Sequence, residues 1–245
     1  MNILMIGDNF SLDCSRYLSQ IGKANREEIF LITLINGCDF TCEGHYRALY
    51  TRVEKMRFCI NGMKTPLVLS LHEVLSSKRW DVITIQPGMR ESNEYENYGA
   101  YITPIEKLLH EYAPKARIFI CEPWAYQQGS PVLHNTMGYA DMSEMVDDIR
   151  TTSARVCKEN NGIYGRLPFC EALAVSDEAT RDFFATPSSP SDFGKYLLSL
   201  IMYQCVSRKQ IESNKFRGFD TSLSENDVSR AKELALISAK NGGYR

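Results

Sequence analysis

Two patterns of apolar and polar positions alternate along the chain. Short apolar runs closed by Gly, Pro or Asn recur, and amphipathic stretches at helical spacing lie between them. The first run, from Asn2 to Ile6, ends at Gly7-Asp8-Asn9. It predicts a buried strand of a parallel sheet followed by a tight turn. A helix follows, with Leu12, Tyr17, Leu18 and Ile21 on one face. Ser11 is its expected N-cap, and Asp13 adds negative charge to its first turn.

Glu28 to Ile35 predicts a second buried strand, closed by Asn36-Gly37-Cys38, and His45 to Val53 a short helix. Met56 to Ile60 and Thr65 to Leu69 flank Asn61-Gly62, which predicts a β-hairpin with a type I′ turn. Ser70 and Glu73 form a capping box for the next helix. Trp80 to Gln86 reads as a strand ended by Pro87-Gly88. A helix over 98–112 carries a tyrosine-rich apolar stripe that belongs to the core, and Pro114 stops it. Arg117 to Cys121 is another strand. Its exit, Glu122-Pro123-Trp124-Ala125-Tyr126, opens a long loop. Met142 to Glu159 is an amphipathic helix, Gly162 to Arg166 a last strand, and 174–190 a polar loop. Ser191 caps a helix to about Val206, and a final helix runs from about Glu225 to Lys240, closed by Gly242-Gly243.

This alternation predicts an α/β fold: a three-layer, doubly wound parallel sheet of flavodoxin-like type. Residues 1–206 form the α/β domain. Residues 207–245 form a linker, over 208–222, and a C-terminal helix packed on or beside that domain.

Composition narrows the partners. The 245 residues carry 28 Lys and Arg against 30 Asp and Glu, a net charge of −2, which gives no argument for nucleic acid or an anionic membrane, and neither is expected as a partner. The basic residues Arg208, Lys209, Lys215 and Arg217 read as a solvated segment. No apolar run reaches the roughly 18 residues of a membrane span. Eight scattered cysteines without an export signal read as reduced thiols of a cytoplasmic protein. No cofactor is expected, and a homo-oligomer is compatible with the chain.

Several separate segments resemble one family. Ile6-Gly7-Asp8-Asn9-Phe10-Ser11 looks like the first block of the SGNH (GDSL-type) hydrolases, whose third motif position is a nucleophilic serine. Asn36-Gly37-Cys38 with His45 resembles the second block, where a backbone glycine serves the oxyanion hole. Trp80-Asp81-Val82-Ile83 with Gln86, Gly88 and Ser92 resembles the third. Trp124-Ala125-Tyr126 resembles a Trp-x-Tyr segment at the site. Pro190-Ser191-Asp192-Phe193-Gly194 resembles the stretch that follows the catalytic Asp-x-x-His. The chain resembles a bacterial SGNH-like family of unknown function. The resemblance implies the SGNH-hydrolase fold.

It also implies a lost triad. The family serine falls at Asn9, the aspartate at Thr186 and the histidine at Ser189. An amide is not a usable nucleophile, and a hydroxyl cannot replace imidazole as base. Of the four histidines (His45, His72, His110 and His134), none follows residue 134, where the family's base belongs.

Three functional classes follow. The first is a catalytically degenerate relative that still binds a small ligand, such as an acylated or plain carbohydrate. Its cleft would be lined by Asp8, Asn9, Gly37, Gln86, Trp124, Tyr126, Thr186 and Ser189. The second is an active esterase or deacetylase using Ser11 or Ser189 with His45 or His134. The third is a scaffold with a filled cleft. Asp8 and Asn9 could instead only satisfy their turn, and Trp124 and Tyr126 could pack on the sheet. His72 and His110 read as solvated. Cys38, Cys42 and His45 have zinc-like spacing, with Asp39 or Glu43 as a fourth ligand, but the family resemblance accounts for Cys38 and His45 without metal.

Overall fold

In the computed structural model, residues 1–36, 41–175 and 182–244 are described. β1 (Asn2–Gly7) leads through α1 (Asn9–Cys14) and α2 (Leu18–Ala24) to β2 (Phe30–Ile35). Next come α3 (Cys42–Thr51), the hairpin β3 (Lys55–Ile60) and β4 (Met63–Ser70), α4 (Leu71–Ser77) and β5 (Val82–Ile85). α5 (Tyr95–Tyr112), β6 (Arg117–Cys121), α6 (Met142–Glu159), β7 (Ile163–Leu167) and α7 (Phe169–Val175) complete the alternation. A two-stranded ribbon, β8 (Phe184–Thr186) and β9 (Ser189–Pro190), precedes α8 (Asp192–Ser207) and α9 (Glu225–Asn241).

The sheet order is β4-β3-β2-β1-β5-β6-β7. The five strands β2-β1-β5-β6-β7 run parallel, and the hairpin adds two antiparallel strands at the β2 edge. The parallel part has the flavodoxin-like order, with its switch point at β1 and β5. Alternate residues of β1 serve opposite faces, as the pleat requires. Ile3 and Met5 join a core with α1, α2, α7, α8 and α9, while Leu4 and Ile6 join a second core with α3, α4 and α5. No helix among the described residues is long and apolar enough to cross a membrane.

Local signals near their own elements hold. Asn61 and Gly62 have φ of 48° and 78°, as a type I′ turn needs. The capping box of Ser70 with Glu73 is formed, and the Ser191 side chain caps α8. The tyrosine-rich helix is core, with Tyr98, Ile102, Ile105 and Leu109 buried.

Other expectations are corrected. Asp8, not Ser11, caps the first helix: its Oδ1 accepts from Phe10 N at 2.7 Å. Asp13 therefore lies past the first turn, five residues after the cap. The expected single helix is two, because Ser15 Oγ donates to Ser11 O at 2.7 Å and Leu12 O at 3.2 Å, competing with the continuing helical ladder. Residues 184–190 are the β8–β9 ribbon rather than loop.

The segment 208–222 is packed rather than a free linker: Ile211, Asn214 and Phe216 are buried. Phe216 and Phe219 lie against Tyr17 and Tyr196 at ring separations of 4.9–6.1 Å. Two of its basic groups are engaged as well, Lys209 with Glu27 and Arg217 with Glu225. His72 and His110 are half-buried and bonded, to the Tyr112 hydroxyl and the Glu106 carboxylate, rather than simply solvated.

Candidate ligand-binding site

The β1–α1 turn sits at the carboxyl end of β1, where ligands bind in open α/β sheets. Gln86, just past the end of β5, clamps it. Gln86 Oε1 accepts from Ser11 N at 2.9 Å, Ser11 Oγ at 2.6 Å and Asp8 N at 3.3 Å. Its Nε2 donates to Asp8 Oδ1 at 2.7 Å. Gly7 makes this approach possible: a Cβ there would lie 2.3 Å from Ser11 Oγ and 2.6 Å from Gln86 Oε1. Asp8 and Gln86 are thus buried and committed to holding the turn, so neither presents a free group to a cleft. Ser11 is buried and committed in the same way.

His45 lies behind this clamp. Its Nε2 shares a 2.9 Å hydrogen bond with Gln86 O, and burial lowers its pKa to about 4. It stays neutral at physiological pH and holds the β5 exit. Glu91 ties the neighbouring loops, accepting from Cys42 N at 2.7 Å and Gly88 N at 2.8 Å. Burial raises its pKa, against those hydrogen bonds.

Trp124 is buried, only 1 % exposed. Its ring lies 4.2 Å from Phe10, and its Nε1 donates to Ser188 O at 3.3 Å. Gln127 N donates to Pro187 O at 3.0 Å. The 124–127 segment therefore pins the β8–β9 ribbon instead of offering a stacking platform. Tyr126 is half-buried against the same core. Thr186 is exposed, and its Oγ1 accepts from Ser189 N at 3.1 Å.

Asn9 and Ser189 do meet. They line one cleft of about 420 Å³ together with Leu12, Asp13, Arg16, Gly62, Met63, Lys64 and Lys195. Three separate elements build its walls: α1, the tip of the β3–β4 hairpin, and the entry to α8. The hairpin tip is docked closely, since a Cβ on Gly62 would lie 2.5 Å from Arg16 O. Asn61 Oδ1 fixes it further, accepting from Ser19 Oγ at 3.1 Å and Leu31 N at 3.0 Å. Of the expected site residues, Asn9 and Ser189 share the cleft, and Thr186 abuts it through Ser189. Gly37 lies outside the described residues.

Asp13, Lys64 and Lys195 are cleft residues that the sequence reading missed. Asp13 follows Asn9 by four positions, so in a helix capped by Asp8 both project from one face. Choosing Asp8 as the cap would have exposed this pairing. Burial raises the Asp13 pKa to about 6, opposed by Lys195 and Lys64 and assisted by Asp8. A carboxyl whose folded pKa is raised costs stability as pH climbs from its unfolded value through the folded one. Asp13→Asn is therefore expected to stabilise the protein by about 1–2 kcal/mol at pH 7.5 and not at pH 4. Urea denaturation at both pH values checks this, and an equal change at both would refute the assignment. A strained titratable group in a cleft is a functional-site signal.

The esterase candidates are dispersed. His134 lies in a short helical turn, Val132–Thr136, inside the segment expected to be loop, and its Nδ1 donates to Tyr139 O at 2.8 Å on the surface. Among the described residues, no serine hydroxyl is hydrogen-bonded to a histidine ring. No group of three His, Cys, Asp or Glu among them could hold a metal. Cys38 and Asp39 lie outside the described residues.

A larger groove, about 1050 Å³, lies elsewhere, along β7 and the C-terminus. Its cations are engaged: Arg166 with Glu122 and Glu171, Arg208 with the Tyr164 hydroxyl, Lys209 with Glu27. The smaller cleft at the end of β1 is the stronger candidate.

No protein-family model and no curated protein sequence matches the chain. Solved structures do. A DUF4886 family protein from Bacteroides uniformis superposes with a TM-score of 0.87 at 16% identity, over 100% of this chain and 96% of that one. A candidate SGNH hydrolase from Slackia heliotrinireducens gives 0.59 at 15% identity, over 83% and 97%. A candidate GDSL-like lipase from Parabacteroides merdae gives 0.53 at 15%, over 84% and 95%. The strand order, the glycine-ended β1 with its turn, and these superpositions together mean that the chain has the fold of the SGNH hydrolases.

Proposed function

We propose that the protein is a non-hydrolytic relative of the SGNH hydrolases that binds a small polar ligand, an acylated or plain carbohydrate, in the Asn9–Ser189 cleft. One observation carries the reading. The residues standing where the resemblance puts nucleophile and base line one open cleft, and neither has the chemistry of the residue it replaces. The volume is that of a small-molecule site. An open cleft supports binding over a filled scaffold. The engagement of Ser11 by Gln86 and of His45 by the Gln86 carbonyl speaks against a recruited pair. We place the protein in the bacterial cytoplasm, in keeping with its seven free cysteines among the described residues.

Hydrolysis of a small activated acetyl ester tests this. Purified protein is expected to give no rate above buffer, and a serine-directed fluorophosphonate is expected to leave no adduct by mass spectrometry. Inhibitor-sensitive turnover would overturn the reading and identify the serine that acts.

A further inference from the structure

The charges of the cleft are not balanced within its lining. Arg16, Lys64 and Lys195 face one carboxylate, Asp13. Arg16 is committed outward, in a bidentate pair with Asp220 at 2.5 and 2.8 Å. Lys195 has only a long contact, 3.7 Å to Asp192. Lys64, on the hairpin tip, makes no ion pair with any described residue. The Asp13 carboxylate likewise has no hydrogen-bond or ion-pair partner among the described residues, although it is half-buried. Beside it stand the exposed Asn9 amide and, across the cleft, Ser189. The unpaired Lys64 on the hairpin tip and the weakly paired Lys195 on α8, with an unpaired acceptor and an amide on α1, make a complementary pair of subsites. The first suits an anionic group and the second hydroxyl donors. Among the described residues no aromatic face lines the cleft, so recognition rests on hydrogen bonds and charge.

We propose that this cleft recognises a monosaccharide-sized hydroxylated anion, with a uronic acid as the model ligand. Lys64 and Lys195 hold the anionic group, and Asp13 with the Asn9 amide takes the hydroxyls. The inference rests on the reading of the cleft as a binding site and adds the ligand class. The larger groove along β7 lacks this property because its cations already have partners. Lys64 is exposed, so its share of the attraction is screened by salt.

Isothermal titration of the full chain at pH 7.5 and low salt tests it, with D-glucuronate, D-galacturonate, glucose 6-phosphate, D-glucose and acetate as probes. Uronate is expected to bind at least tenfold more tightly than glucose or acetate. The sugar phosphate tells whether a phosphate replaces the carboxylate. K64A and K195M should each weaken uronate about tenfold, and D13N about fivefold. The D13N deficit should shrink at pH 5, where Asp13, facing Lys64, Lys195, Arg16 and Asp8, is protonated in the parent protein. Circular dichroism melts confirm that the variants fold. Glucose binding as tightly as uronate overturns the charge assignment and leaves the cleft reading standing. Acetate matching uronate overturns the hydroxyl subsite. Absence of binding by every probe overturns the ligand class, while the ester assay separately decides whether the cleft reading itself fails.

Discussion

Arg166→Met is expected to lower stability by about 3–5 kcal/mol, because it leaves a glutamate charged and unpaired inside the protein. Glu122 sits at the carboxyl end of β6 with its side chain fully inaccessible. It is bonded to the Arg166 guanidinium, accepts from Ser153 Oγ at 2.5 Å, and accepts from Cys170 N at 3.3 Å. Arg166 also bonds Glu171 at 2.9 Å, and Arg150 caps Glu171 from the other side. Burial raises the Glu122 pKa even with Arg166 present, the guanidinium offsetting only part of that. Without Arg166 the carboxyl moves further up. Its folded pKa is then well above its unfolded one, so the deficit grows as pH rises above about 4.5 and is largest near pH 8. Chemical denaturation across pH 5–8 checks both the size and the slope. Adding Glu122→Gln should restore at least half of the loss, since the neutral amide retains an acceptor for Ser153. A loss under 1 kcal/mol, or one independent of pH, would show that the cluster is not the buried charge network described.

Gln86→Leu is expected to cost about 3 kcal/mol through a different route: unsatisfied polar groups rather than an uncompensated charge. The change strips acceptors from Ser11 N, Ser11 Oγ and Asp8 N, and a donor from the capping carboxylate of Asp8. All lie in or beside the turn that carries Asn9, so the cleft wall should loosen together with the fold. Ser11→Ala removes one of the same bonds. A double-mutant cycle between the two should show a coupling of about 1 kcal/mol. Additive losses would mean that the clamp does not act as a unit. Uronate affinity, measured on whatever Gln86→Leu protein folds, should fall alongside stability, because the amide of Asn9 is positioned only through this turn.

Both effects depend on pairings that sequence order hides. Gln86 is 75 residues from Ser11, and Glu122 is 44 from Arg166. The sequence showed that Gln86 ends a strand near the site. It did not show that every polar atom of the side chain would be consumed inside the turn. Trp124 was legible as a residue at a strand exit, yet its burial against Phe10 and the ribbon depends on where residues 184–190 fold back. Lys64 reads as an ordinary hairpin lysine until the Asn61-Gly62 tip docks on Arg16 and carries it into the cleft.

Local and periodic features were legible in the sequence. The apolar runs marked the five parallel strands, because a strand buried on both faces needs them. Asn61-Gly62 specified the hairpin through its positive φ angles, and Ser70, Glu73 and Ser191 specified helix starts through hydrogen bonds spanning three residues. Neighbouring choices within the β1–α1 turn were harder. Asp8 and Ser11 are both competent caps, and the contest is decided by a distant amide whose Oε1 engages the Ser11 hydroxyl while its Nε2 holds the Asp8 carboxylate at the helix start. Which polar residues line the open cleft and which hold the frame is settled in three dimensions. That division depends on burial and partner geometry between segments far apart in the chain, and a one-dimensional pattern carries neither.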